Sequence, residues 1–198
     1  SFTVLVNPIP TVNAVPSSTY CSGATVPAVN FTGNVTTANY NWSNTNSSIG
    51  LGTSGVGNIA SFTSSNSTAS GMSGVVTVTP SANSCVGTPI NFTITVNPVP
   101  NVASIPSATY CAGATVPATN FTGSVTATTF DWSNTNTAIG LANSGTGNIA
   151  SYVATNTGAA SISGVITVTP SANSCIGTPT SFTVLVNPIP TVNAVPSS

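Results

Sequence analysis

Few side chains in this 198-residue chain could do covalent or acid–base chemistry. The four cysteines are Cys21, Cys85, Cys111 and Cys175, with 64 residues separating the members of each successive pair. Asp131 is the single carboxylate, and Lys, Arg, His, Glu and Gln do not occur. A thiol becomes reactive when a cation, an imidazole or a metal lowers its pKa, and no such neighbour is encoded. General acid–base catalysis needs a poised carboxylate, imidazole or amine, and one aspartate supplies no pair. Zinc, calcium and magnesium sites gather several His, Cys or carboxylate ligands. Without cations the chain has nothing to neutralise phosphates or to form a polybasic membrane patch. The residues thus predict no catalytic, cofactor-binding or metal site, no nucleic-acid partner and a non-enzymatic protein. What remains to the thiols is oxidation to cystine.

The elements that must position the cysteines come in duplicate. Residues 1–90 align with 91–180 without a gap at 56 of 90 positions, and residues 181–198 repeat 1–18 at all 18. Two related 90-residue units therefore alternate with a true period of 180, as expected of a stretch of a longer array. That period is too long for common solenoid repeats and suits one small domain per unit. Of the three connectivities open to four cysteines, equal placement in both units favours Cys21–Cys85 and Cys111–Cys175. Each bridge would stabilise its unit by roughly 4 kcal/mol through loop-closure entropy and implies an oxidising, extracellular setting.

Prolines set the expected boundaries. Val6-Asn7-Pro8-Ile9-Pro10 recurs as Val96-Asn97-Pro98-Val99-Pro100 and as Val186-Asn187-Pro188-Ile189-Pro190. A proline has no N–H and a fixed φ, so a strand ends there and a stiff connection follows. Residues 1–10 read as the last strand of a preceding repeat plus linker, 11–97 as one repeat, 98–187 as the next, and 188–198 as the start of another. Residue 1 already falls inside a strand pattern, so no leader is expected in this stretch.

Within a unit the signal is a period of two. Phe92-Thr93-Ile94-Thr95-Val96 alternates apolar and hydroxyl side chains, as do Gly74–Thr79 and Gly164–Thr169. With 29 Ser, 34 Thr, 17 Gly and 15 Pro, the chain favours strands and turns over helices. Its 40% hydrophobic content, arranged in alternation, argues against disorder, and no apolar run is long enough to span a membrane as a helix. Six or seven short strands per unit, separated by Gly, Pro and Asn turns, predict an all-β fold of β-sandwich domains in tandem.

The ordered motifs Tyr20-Cys21-Ser22-Gly23, Tyr40-Asn41-Trp42-Ser43, Val76–Pro80, Cys85-Val86-Gly87 and Val96-Asn97-Pro98 recur in the second unit. Together they resemble the PKD-like, immunoglobulin-like tandem repeats of giant cell-surface adhesins of Bacteroidota, exported by the type IX system. The resemblance covers nearly the whole chain and implies immunoglobulin-like (PKD-like) sandwiches in a linear, cell-surface array. The usual PKD motif follows its Trp with Phe-Gly-Asp-Gly, whereas Ser-Asn-Thr-Asn stands here at 43–46.

Other candidate positions have plainer readings. Trp42 and Trp132 are expected as core aromatics before sugar platforms, and Asp131, matched by Asn41, as a surface residue. Sequons for glycosylation fall at Asn30, Asn34, Asn41, Asn46, Asn66, Asn91 and Asn120, about the number chance would give in so Asn- and Thr-rich a chain. Outward threonines such as Thr77 and Thr79 fit β-propensity as readily as ice or polysaccharide binding. The stretch Gly50–Gly57 lacks the lysine and helix of a phosphate loop. The expected function is a structural repeat of an extracellular filament or giant adhesin stalk. It would self-associate end to end or laterally, because near-zero charge removes repulsion between copies. The alternative is a carbohydrate- or ice-binding module, with surface glycans as partners.

Overall fold

In the computed structural model, which describes residues 1–192, the chain divides into two units, Ser1–Pro98 and Val99–Ser198. The first contains β1 (Ser18–Cys21), β2 (Thr25–Val26), β3 (Asn39–Asn44), β4 (Ser54–Val56), β5 (Phe62–Thr63), β6 (Met72–Ala82), β7 (Cys85–Val86) and β8 (Ile90–Asn97). Its main sheet runs β1-β8-β6-β3-β4, with β7 also paired to β6. The facing layer is the β2–β5 pair, extended by the bridge Val29–Ile59. Strand β1 lies parallel to β8, and the other pairings are antiparallel.

The second unit repeats this plan with β9 (Ala108–Cys111), β10 (Thr115–Val116), β11 (Thr129–Asn134), β12 (Ser144–Thr146), β13 (Tyr152–Val153), β14 (Ile162–Ala172), β15 (Cys175–Ile176) and β16 (Thr180–Asn187). Its main sheet runs β12-β11-β14-β16-β9. Both units are immunoglobulin-like β-sandwiches, the all-β class that the alternation predicts.

Alternation decides which face is buried. Phe92, Ile94 and Val96 of β8 and Val76 and Val78 of β6 point inward and meet Val29 and Ile59 of the opposite layer. Each such side chain removed from water contributes about 1.5–3 kcal/mol. Phe31 packs against Tyr40 and Phe92 with ring centroids 5.7 and 6.5 Å away, both tilted. Strands β8 and β16 end at Asn97 and Asn187, each followed by proline. Pro80 is tolerated inside β6 because the β6–β8 ladder has already ended at Val78–Ile90. Its carbonyl accepts from Gly87 N at 2.9 Å instead.

Among the described residues each unit has eight strands, more than the six or seven expected, because β2, β5 and β7 are only two residues long. Periodicity is invisible at that length. The β6–β7 hairpin turns through Asn83 and Ser84, at φ 47° and 64°, and its counterpart through Asn173 and Ser174, at φ 50° and 64°. Two consecutive left-handed residues make the tight turn whose twist matches its strands. Residues 1–7 form no strand, and Phe2 and Leu5 are 90% and 82% exposed. The same seven-residue sequence forms most of β16, where Phe182, Val184 and Val186 are buried. A strand sequence becomes a strand only against a partner. Of the expected next repeat at 188–198, residues 193–198 lie outside the described residues.

Candidate functional site

The cysteines sit at the two ends of each sandwich. Cys21 closes β1 in register with Asn97, the last residue of β8, and Ser22 N donates to the Asn97 carbonyl at 2.8 Å. This is the trailing end, where the chain leaves the unit. Cys85 starts β7 in register with Ala82, at the far end of the 11-residue β6. A Cβ on Gly87 would fall 1.8 Å from the Pro10 carbonyl oxygen, so Cys85 marks the leading end, where the chain comes in. In the second unit Cys111 pairs with Asn187 at the trailing end. Cys175 pairs with Ala172 at the leading end, where Gly177 meets the Pro100 carbonyl.

The expected bridges Cys21–Cys85 and Cys111–Cys175 therefore do not form. Met72 at one end of β6 and Ala82 at the other are ten rises apart, which separates the two cysteines of a unit by roughly 30 Å. A disulfide needs Cα atoms within about 7 Å. Cys21 and Cys175 are each disulfide-bonded, while Cys85 and Cys111 carry free thiols. Cys175 is buried and Cys85 is half-buried; Cys21 is half-buried and Cys111 is exposed. Each bonded cysteine is thus less exposed than its free counterpart.

The incoming segment is held by backbone. A Cβ on Gly33 would fall 1.8 Å from the Thr11 carbonyl oxygen, and only glycine allows so close an approach. Asn34 completes the grip: its Oδ1 accepts from Thr11 N at 2.7 Å and its Nδ2 donates to Ile9 O at 3.1 Å.

Asparagines organise the loops. Buried Asn44 donates through Nδ2 to the carbonyls of Asn46 and Leu51 at 2.9 and 3.0 Å, and accepts from Asn46 N at 3.2 Å. Asn46 then caps the 3-10 turn Ser47–Ile49 through Ser48 N. Asn66 donates to Ser70 O and Val96 O at 2.8 and 2.7 Å. Asn134, Asn136 and Asn156 make the equivalent bonds in the second unit. None of these roles follows from the local sequence around each asparagine. The available signal was that all three asparagines recur at the same positions in both units.

Among the sequons, Asn30, Asn34, Asn41, Asn91 and Asn120 are exposed. Asn34, Asn46 and Asn66 donate their amide nitrogens to backbone carbonyls, and Asn66 is buried. Asp131 is exposed. Trp132 is buried and Trp42 half-buried, each lying across the glycine of the neighbouring strand.

The outer face of each main sheet carries hydroxyls and amides. Thr77 and Thr79 are half-buried there, and cross-strand hydroxyl pairs tie it together, Ser73 with Thr95 at 2.9 Å and Thr167 with Ser181 at 2.9 Å. An apolar groove of about 340 Å³ opens beside Tyr20, Val26 and Phe92, and its counterpart of about 330 Å³ beside Tyr110, Val116 and Phe182.

Tyr152 is partly buried beside Tyr110. Burial, then the nearby Tyr110 phenol, raises its pKa above the ordinary 10.0. The folded state therefore favours the neutral phenol, and this contribution is complete below the unfolded-state pKa and lost as pH rises through the folded one. The second unit should lose stability above about pH 10, and Tyr152→Phe should flatten that part of a denaturation-versus-pH curve.

No protein-family profile matches the chain, and no curated protein sequence matches it. Among solved structures, a three-domain immunoglobulin fragment of titin (I67–I69, an E-to-A mutated variant) superposes with a TM-score of 0.52 at 13% identity, covering 90% of this chain and 66% of that one. Immunoglobulin domains 1–4 of Sidekick-1 give 0.49 at 14% identity, covering 90% and 48%. The chain spans less than two-thirds of the length of either. The titin likeness is one of fold, and it agrees with the strand order described above: the chain is a tandem of immunoglobulin-like domains. No helix among the described residues is long and apolar enough to cross a membrane.

Proposed function

We propose that this chain is a structural repeat of an extracellular filament or giant adhesin stalk, without catalytic activity. The observation that carries this reading is the placement of leading and trailing ends at opposite poles of each sandwich. Pro10 lies beside Gly87, and Asn97 lies roughly 30 Å away at the far end of the sheet. A unit that takes the chain in at one pole and releases it at the other adds length with every repeat. Proline-flanked connections of a few residues stiffen the result, and a disulfide fits an oxidising exterior. The resemblance to PKD-like repeats of Bacteroidota surface adhesins supports the same reading.

Electron microscopy of the native material tests it. Fibres with an axial repeat of one or two domain lengths are expected, unchanged from low to high salt because there is almost no charge to screen. Dispersed single globules would overturn the proposal. Denaturing, reducing electrophoresis then separates a long covalent array from subunits near 19.4 kDa.

A second reading, glycan or ice binding, draws on the uncharged sheet face and on a groove present in both units. Retention on insoluble polysaccharide or thermal hysteresis would support it. Neither would be expected of a plain shaft.

A further inference from the structure

We propose that the free thiols are the two halves of a head-to-tail staple, Cys111 of one copy bonding Cys85 of the next. The inference rests on the filament reading and adds a covalent joint to it. Three observations converge. First, the two cysteines of a unit lie at opposite poles, so neither thiol finds its partner within its own unit. Second, the equivalent positions are already oxidised: Cys21, the counterpart of Cys111, and Cys175, the counterpart of Cys85, are both disulfide-bonded. A trailing-end and a leading-end cysteine are therefore each built to accept a disulfide in this fold. Third, the free members are accessible, Cys111 exposed and Cys85 half-buried, and they occupy one trailing and one leading end. The repeat order supplies the polarity. After the second unit comes a sequence identical to residues 1–18, so the unit that follows Cys111 in an array is of the Cys85 type. Such a contact is heterologous and propagates into a fibre, whereas like-with-like pairing stops at a dimer.

The chemistry is thiol–disulfide exchange with a small-molecule disulfide such as oxidised glutathione. The Cys111 thiolate attacks one glutathione sulfur, and the first glutathione leaves as a thiolate. The Cys85 thiolate of the next copy then attacks the protein sulfur of the mixed disulfide and releases the second glutathione. Two protein thiols are oxidised to one cystine, one glutathione disulfide is reduced to two thiols, and the two thiol protons pass to the departing thiolates.

The test is oxidation of the full chain with oxidised glutathione, read on non-reducing gels. The wild type should give a ladder at multiples of 19.4 kDa that collapses on reduction. Cys85→Ser alone and Cys111→Ser alone should stay monomeric. An equimolar mixture of the two variants should give a dimer and nothing larger, with Cys85 and Cys111 in one disulfide-linked peptide after peptic digestion. Dimers in either variant alone at the level of the mixture would show symmetric pairing and overturn the proposal, as would a ladder persisting in both. A wild type that forms fibres under the microscope but gives no ladder would overturn the staple and leave the shaft reading standing.

Discussion

Asn44→Ala is expected to destabilise the first unit by about 3 kcal/mol, and Asn134→Ala the second by a similar amount. The Asn44 amide bonds the carbonyls of Asn46 and Leu51, and its oxygen receives Asn46 N. Truncation leaves the Leu51 carbonyl without that donor in the interior, at a cost of about 1–3 kcal/mol per orphaned group. For a domain of this size such a loss lowers Tm by roughly 10–20 °C. Gly74 sets a control, because a Cβ there would stand 2.4 Å from Asn44 Oδ1 and 2.7 Å from Ile49 Cδ1. Gly74→Ala should therefore cost less in the Asn44→Ala background than in the wild type, the signature of a shared contact. Urea denaturation of the four proteins measures both terms. A loss below about 1 kcal/mol for Asn44→Ala would mean that water replaces the amide and that the side chain is not what orders this loop.

Removing an indole should cost still more. Trp132→Ala is expected to destabilise the second unit by about 3–5 kcal/mol, the range for emptying a buried aromatic site. Its Nε1 has no acceptor among the described residues, so the ring acts through packing alone. Trp132→Phe should consequently retain most of the stability. The ring covers Gly145, where a Cβ would lie 2.3 Å from Cζ2. Gly145→Ala alone should be disruptive, and much less so once Trp132 is alanine. Additive losses in that pair would contradict the packing seen here. Trp42 and Gly55 repeat the arrangement, with the indole less deeply buried.

Strands β6 and β8 were legible because alternation over eight residues or more leaves little choice of face. The disulfide pairing was not, because a 64-residue separation says nothing about direction along a strand. Cys21 follows a strand parallel to β8 and so travels to the trailing end, whereas Cys85 follows a hairpin that turns back at the leading end. The stretch Ser43-Asn44-Thr45-Asn46 reads in sequence only as a departure from the PKD motif. In the fold it replaces that motif with an amide network. Asn66 was the more recoverable signal, since in 61–70 only Ser61, Asn66 and Ala69 are shared with the second unit. A polar residue retained while its flanks vary is doing a job for the backbone.

The parallel pairing of β1 with β8 has a mechanical consequence. Tension on the chain pulls the segment before β1 toward the leading end and β8 toward the trailing end, so the two strands are drawn past each other along their length. The ladder from Ser18–Ile94 to Cys21–Asn97 is then loaded in shear, with its bonds sharing the force at once, where a peeled hairpin would lose them one by one. β9 and β16 meet in the same way. Each unit therefore resists stretching at the seam between its first and last strands, and its rupture force should far exceed what its modest size suggests.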